Sequence, residues 1–185
     1  EELQQILGTM MASVATRNKT SEAIAAVCAG PAQTPVAEVP FSSARKWSAV
    51  ALDGGKQRGV YAIGAEEMLR PFLRPLVHQS HTTSGDGPDE GSAIVSISQK
   101  IASYTDQGLR VLVIAHHPDA SLLHDEGDAS RLPAGMAPLG MVSLSDELRP
   151  EAKEVLEAFI RSGVTPKIIS GDSPETVAAL ARQAG

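Results

Sequence analysis

The last 47 residues constrain the fold more than any other part of this sequence, because apolar runs and amphipathic stretches alternate in them. A short apolar run, 139–144, is followed by Ala152, Val155, Leu156, Phe159 and Ile160 at three- and four-residue steps. A second apolar run, 164–170, precedes a stretch carrying Val177, Leu180, Ala181 and Ala184. Steps of three and four place side chains on one face of a helix, whereas a short unbroken apolar run suits a strand covered on both faces. Pro150 opens the first helix where its missing N–H does no harm, Gly163 ends it, and Ser173-Pro174 caps and starts the second. Strand, helix, strand, helix predicts parallel strands joined by crossover helices, the beginning of a doubly wound α/β unit.

The preceding 138 residues have another texture. Leu3, Ile6, Leu7, Met10, Met11 and Val14 predict an amphipathic helix. A second, from about Thr20, carries Ile24, Val27 and Cys28 until Gly30-Pro31 ends it. Residues 36–64 read as three strands, 39–43, 46–52 and 59–63, with Asp53-Gly54-Gly55 as the hairpin turn between the last two. In the middle strand Trp47, Ala49 and Ala51 face one way and Lys46, Ser48 and Val50 the other. A short helix over 65–69 is interrupted by Pro71 and Pro75, and 78–91 is a polar loop. Ile94, Ile97, Ile101 and Tyr104 predict a helix closed by Gly108, followed by a strand over 109–115 and a loop over 118–138. The expected class is α/β: an α+β domain over 1–138, with an antiparallel sheet flanked by helices, then a partial α/β unit over 139–185. The boundary is expected near 136–148.

Composition closes several functional classes. With 22 acidic against 16 basic residues the net charge is −6, which opposes nucleic-acid binding and requires a local basic cluster for any polyphosphate. Aromatic residues are only 3%, so the core must be built from Ala, Val, Ile and Leu. Cys28, the lone cysteine, excludes an internal disulfide and a zinc site of several thiolates, and reads as a small buried hydrophobe. No uninterrupted apolar run approaches the ~20 residues of a membrane helix, and no signal-peptide pattern is visible. The chain begins at Glu1 within a helical pattern and stops at Gly185 on a helix end, the look of an excised piece or of a processed chain.

Two places offer chemistry. Ser170-Gly171-Asp172-Ser173 lies between a strand end and a helix start, where unpaired N–H groups favour phosphate, Ser170 supplies a hydroxyl and Asp172 a carboxylate for a metal ion or a ribose. An ordinary capped turn would look the same. Phe41, in Pro40-Phe41-Ser42-Ser43-Ala44-Arg45-Lys46, offers a ring to a base with Arg45 and Lys46 as charges for phosphates. The alternative is a hairpin whose Phe is core and whose cations are solvated. Arg110 precedes an apolar strand. Of the five histidines (78, 81, 116, 117 and 124), His116 and His117 are consecutive on a strand and point to opposite faces, so they do not readily share an ion. Walker-type, G-x-G-x-x-G and G-x-S-x-G patterns are absent.

Taken together these segments resemble the cytoplasmic part of a P-type cation-transporting ATPase. "PFSSARKWSAV" (40–50) resembles the nucleotide-domain motif P-F-x-S-x-R-K, and "YAIGAEEML" (61–69) resembles the K-G-A-x-E segment. "GLRVLVIA" (108–115) resembles the strand with the phosphate-facing arginine. "DELRPEAKEVL" followed by "IISGD" resembles the D-P-x-R and T-G-D elements of the phosphorylation domain. The match runs over nearly all 185 residues. It implies a nucleotide-binding domain over 1–138 and, over 139–185, part of a phosphorylation domain with a haloacid-dehalogenase-like Rossmannoid fold.

The resemblance also implies roles. Phe41 would stack on adenine, Lys46 border the nucleotide pocket, Gly64 line its floor and Arg110 reach the phosphates. Asp146 and Arg149 would sit at the hinge between domains, while Ser170, Gly171 and Asp172 would hold the transferred phosphoryl group and the Mg²⁺-nucleotide. ATP and Mg²⁺ are the implied cofactors. The implied partners are ATP or ADP and the remaining phosphorylation, actuator and transmembrane domains of the same protein, at the cytoplasmic face of the cell membrane. Departures from the pattern carry expectations of their own. Ile63 stands where the family has lysine and Glu66 where it often has proline, so one cation is lost and weaker or differently posed nucleotide binding is expected. Asp146-Glu147-Leu148-Arg149 lacks the usual prolines, and Ser170 replaces threonine. With "ARKWSA", these features point to a bacterial subgroup related to calcium-type pumps. The D-K-T-G-T aspartate is not in this chain, so it is expected to bind nucleotide without turning it over. Two rivals remain: a soluble haloacid-dehalogenase-type phosphatase, which would need a D-x-D strand this chain lacks, and a non-enzymatic nucleotide-binding module.

Overall fold

The computed structural model describes residues 1–74, 91–124, 129–145, 148–171 and 174–185, without the side chains of 91–97. Of the expected loop over 78–91, residues 78–90 with His78 and His81 lie outside the described residues, as do Pro75, Asp146, Glu147, Asp172 and Ser173, while Gly91 already begins a helix. The chain divides into two compact units, Glu1–Ser84 with Leu112–Met141, and Gly85–Val111 with Val142–Gly185. Among the described residues no helix is long and apolar enough to cross a membrane.

The first unit opens with two packed helices, α1 (Glu2–Ser13) and α2 (Lys19–Val27). The expected apolar face of α1 is buried at Leu7, Met10 and Met11. Helix α2 starts at a reciprocal cap: Ser21 N–H donates to the Asn18 side chain (2.9 Å), and Asn18 N–H donates to the Ser21 hydroxyl (2.8 Å). Glu38 ties the chain leaving α1 to the sheet, its carboxylate accepting from Ala15 N–H (2.7 Å) and Thr16 N–H (3.1 Å).

The strands are β1 (Pro35–Val39), β2 (Trp47–Leu52), β3 (Gly59–Gly64), β4 (Arg110–His117) and β5 (Ala137–Leu144), and the sheet order is β1-β2-β3-β4-β5. The β1–β2, β2–β3 and β3–β4 pairings are antiparallel, with Trp47 opposite Gly64, Leu52 opposite Gly59 and Gly64 opposite Val113. Val39, Val50, Leu52, Val60, Ile114 and Met136 are fully buried. Trp47, Ala49 and Ala51 on one face of β2 and Val50 on the other are all buried, so the strand is covered on both sides. A short helix α3 (Glu66–Leu69) follows β3 and runs into a 3-10 turn, Arg70–Phe72, that contains Pro71. Within the expected loop over 118–138 the chain forms a 3-10 turn, Ala120–Leu122, and an isolated bridge between His124 and Arg131.

In the second unit α6 (Pro174–Ala184) packs against α4 (Gly91–Thr105) and α5 (Ala152–Arg161). Gly108 closes α4 at a φ of 80°, which glycine adopts without strain, beside Ala179 and Leu180 of α6. The Gln183 amide donates to the Gln107 carbonyl at 3.2 Å.

The mixed α/β class is as expected, with three corrections in detail. The first strand ends at Val39 instead of spanning 39–43, because Pro40 has no N–H to donate and the residues after it form a hydrogen-bonded turn. The run over 139–144 does form a strand, but it completes the sheet next to β4 instead of opening a parallel one. No strand forms at 164–170, where Val164, Ile168 and Ile169 are exposed, Ile169 by 99%. Val164 N–H is taken by the Phe159 carbonyl (2.9 Å), Pro166 has no N–H to give a ladder, and the described sheet consists of β1–β5 without this segment. The α5 stripe shows the same lack of cover: Val155, Phe159 and Ile160 face solvent.

Candidate functional site

Ser42 organises the turn between β1 and β2. Its carbonyl accepts from Lys46 N–H at 2.8 Å and its hydroxyl accepts from Arg45 N–H at 3.2 Å. The turn brings Lys46 to a φ of 54°, a left-handed conformation that costs a residue with a Cβ about 1–2 kcal/mol. A further bond secures it, from Ala65 N–H to the Lys46 carbonyl at 3.0 Å. The residue before β2 is thereby joined to the residue after β3, where Trp47 faces Gly64. A Cβ on Gly64 would overlap Trp47 Cβ and lie 2.7 Å from the Lys46 carbonyl oxygen and 2.8 Å from Trp47 Cα. Glycine is what allows the two strands to close here.

The two cations of the turn part company. Arg45 bends inward, donating to the Pro40 carbonyl at 2.9 Å and lying over the buried Trp47 ring at 5.4 Å from its centroid. Lys46 extends outward, its Nζ 3.7 Å from a carboxylate oxygen of Glu67. The adjacent acid, Glu66, is held in a bidentate pair by Arg70 (2.8 and 2.7 Å), which pushes the arginine pKa up further. Phe41, next to Ser42, is 43% exposed, so its ring is accessible and is not a core residue.

Phe41, Lys46 and Gly64 thus gather around one turn of the first unit. Ile63 is 7% exposed, opposite Ser48 and Ile114, and belongs to the sheet interior. Arg110, half-buried, opens β4 and belongs to the second unit, as do the exposed residues Arg149, Ser170 and Gly171. Asp146 and Asp172 lie outside the described residues. Among the described expected residues, the Lys46 ammonium, the Arg110 guanidinium and the Ser170 hydroxyl are donor types that match phosphate oxygens. Mg²⁺ takes carboxylate oxygens, and Asp172, the carboxylate expected there, lies outside the described residues.

Elsewhere Tyr61, His116, His117 and Asp119 are engaged locally. The His116 ring is 4.6 Å from that of Tyr61, whose phenol is pushed up by burial, and its Nε2 lies 2.9 Å from the Arg58 carbonyl. His117 Nδ1 accepts from Asp119 N–H at 3.2 Å. The Asp119 carboxylate accepts from the Ser121 hydroxyl (2.7 Å) and N–H (2.9 Å), which holds it below the usual aspartate range. Among the described residues no three His, Cys, Asp or Glu are placed to hold a metal ion. A groove of about 700 Å³, lined by Gln5, Gln33, Thr34, Asp53 and Lys56 among others, opens at the other end of β2 and β3 and includes none of the expected nucleotide residues. Sequence reasoning placed Glu67 as the acid of the K-G-A-x-E segment but gave it no role. The available signal was an acid in the first turn of the helix after Gly64.

Residues 16–185 match the haloacid dehalogenase-like hydrolase family. The whole chain is 30% identical to Calcium-transporting ATPase CtpE of Mycobacterium bovis and 30% identical to Probable cation-transporting ATPase exp7 of Streptococcus pneumoniae, covering 20% of each. Calcium-transporting ATPase 2, plasma membrane-type, of Arabidopsis thaliana is 29% identical over 79% of this chain and 14% of its own length. The chain therefore spans about one-fifth or less of the curated relatives it matches.

Proposed function

The chain belongs to the haloacid dehalogenase-like hydrolase family, and on that premise we propose that it is the ATP-binding part of a P-type cation pump, joined to a strip of the phosphorylation domain. Its relatives over the full length are cation-transporting ATPases, which makes an ATPase-related function the common ground. The finer reading gives residues 1–138 the nucleotide and residues 139–185 a share of the phosphorylation site. An aspartyl-phosphate outside this chain couples hydrolysis to transport, with the domain at the cytoplasmic face of the membrane. Calcium is the ion in the names of the Mycobacterium and Arabidopsis relatives, and it is the cation this reading favours.

The observation that carries the proposal is the exposed Phe41 ring in the same turn that fixes Lys46 above Gly64. Adenine stacks on Phe41, the Lys46 ammonium meets phosphate oxygens, and Gly64, whose missing side chain lets β2 and β3 close behind the turn, forms the floor. Arg110 reaches the phosphates, Asp146 and Arg149 close the hinge, and Ser170, Gly171 and Asp172 receive the phosphoryl group. Bound Mg²⁺ supplies neutralisation of phosphate charge.

Calorimetric titration with Mg-ATP tests this. Phe41→Ala is expected to weaken binding by about 1–3 kcal/mol, the value of one base on one aromatic ring. Equal affinities in wild type and variant would remove Phe41, and with it this reading of the turn.

A further inference from the structure

The turn that fixes Lys46 also fixes what Lys46 can reach. Its N–H and carbonyl are both bonded, so its Cα cannot shift without breaking one of them, and only the side chain is free to choose a partner. Two acids open the helix that follows Gly64. Glu66 is occupied by both nitrogens that Arg70 presents to it, and its side chain is largely covered. Glu67 is the acid that meets Lys46, with Nζ and carboxylate 3.7 Å apart and both side chains roughly half exposed. We propose that Glu67 is a built-in competitor for phosphate at Lys46: it holds the ammonium in the ligand-free site and gives it up when a phosphoryl oxyanion arrives. This rests on the nucleotide reading above and adds a residue that limits how tightly that site grips phosphate.

The physical consequence is selective. A phosphate approaching Lys46 must replace the carboxylate and then remain near its negative charge, whereas a base stacking on Phe41 does neither. Glu67 therefore weakens phosphorylated ligands and leaves an unphosphorylated nucleoside untouched. Exposed pairs of this kind are modest and screened by salt.

Adenosine and ADP titrated calorimetrically into wild type, Glu67→Gln, Lys46→Met and the double variant at low salt test the idea. Glu67→Gln is expected to tighten ADP about two- to fivefold, the range of an exposed ion pair, and to leave adenosine unchanged. The gain is expected to vanish on the Lys46→Met background and to shrink in high salt. An equal gain for both ligands, no gain for ADP, or a gain that survives Lys46→Met overturns the proposal while leaving nucleotide binding standing. If neither ligand binds wild type or any variant, the nucleotide reading fails and this inference fails with it. Position 67 is more than half exposed, and matching thermal melts verify that Glu67→Gln keeps the fold.

Discussion

Gly64→Ala tests whether closure of the β2–β3 end holds Lys46 in place. A Cβ at position 64 would stand 2.7 Å from the Lys46 carbonyl oxygen, against ordinary contact from 3.4 Å, and would overlap Trp47 Cβ. These are backbone and near-backbone atoms, so no rotamer change relieves the clash. The Lys46 carbonyl must retreat by about 0.7 Å, which breaks the 3.0 Å bond it accepts from Ala65 N–H. Loss of that bond costs about 0.5–1.5 kcal/mol, and overpacking adds about 1–3 kcal/mol. In a chain of 185 residues each kcal/mol moves Tm by about 2–4 °C, so a fall on the order of 5–15 °C is expected. Trp47, the only tryptophan, sits directly opposite the substitution, and its emission during a thermal melt reports both the shift and the local opening. ATP affinity should fall in parallel, because Lys46 loses one of its anchors. Gly171→Ala, in open space at an unstrained φ, is the control and should melt like wild type. A Gly64→Ala protein with wild-type Tm and emission would refute the argument.

The other predictions are narrower. Ile63→Lys looks from sequence like restoration of a missing cation that tightens nucleotide binding, but the side chain at 63 is buried between Ser48 and Ile114. Burying an ammonium without a partner costs several kcal/mol. The denaturation midpoint should therefore drop sharply for Ile63→Lys and hardly move for Ile63→Met, while a tighter ATP titration at an unchanged midpoint would show that position 63 opens onto the pocket. The Asp119 carboxyl should titrate in an NMR pH series below its ordinary value, and Ser121→Ala should raise it. Because the folded pKa is depressed, the associated stability is present above the unfolded pKa and is lost as pH falls through the folded one. Identical midpoints in the two proteins would show that the Ser121 hydroxyl is not the cause.

What the sequence shows and hides follows from how far each determinant reaches along the chain. Helices α1 and α2 and the β2–β3 hairpin were legible because periodicity and a Gly-Gly turn are local signals. The retreat of β1 to Val39 needed one more local fact, that Pro40 begins a turn organised by Ser42. The place of β5 was not legible, since an apolar run states that it is extended but not which strand it joins. The same gap explains 164–170, an apolar run that joins no strand of the described sheet. At the candidate site, Phe41, Lys46 and Gly64 were visible as residue types. The divergence of Arg45 and Lys46 was not, because it depends on a left-handed lysine, a conformation that sequence chemistry associates with glycine or asparagine.

The exposed apolar side chains over 164–170 have a practical consequence for this chain in solution. Val164, Ile168 and Ile169 stand bare to solvent, an apolar patch through which separate molecules associate. Self-association that rises with protein concentration is the behaviour such a patch produces, and a charge placed at Ile169 is the means of keeping the molecule monodisperse.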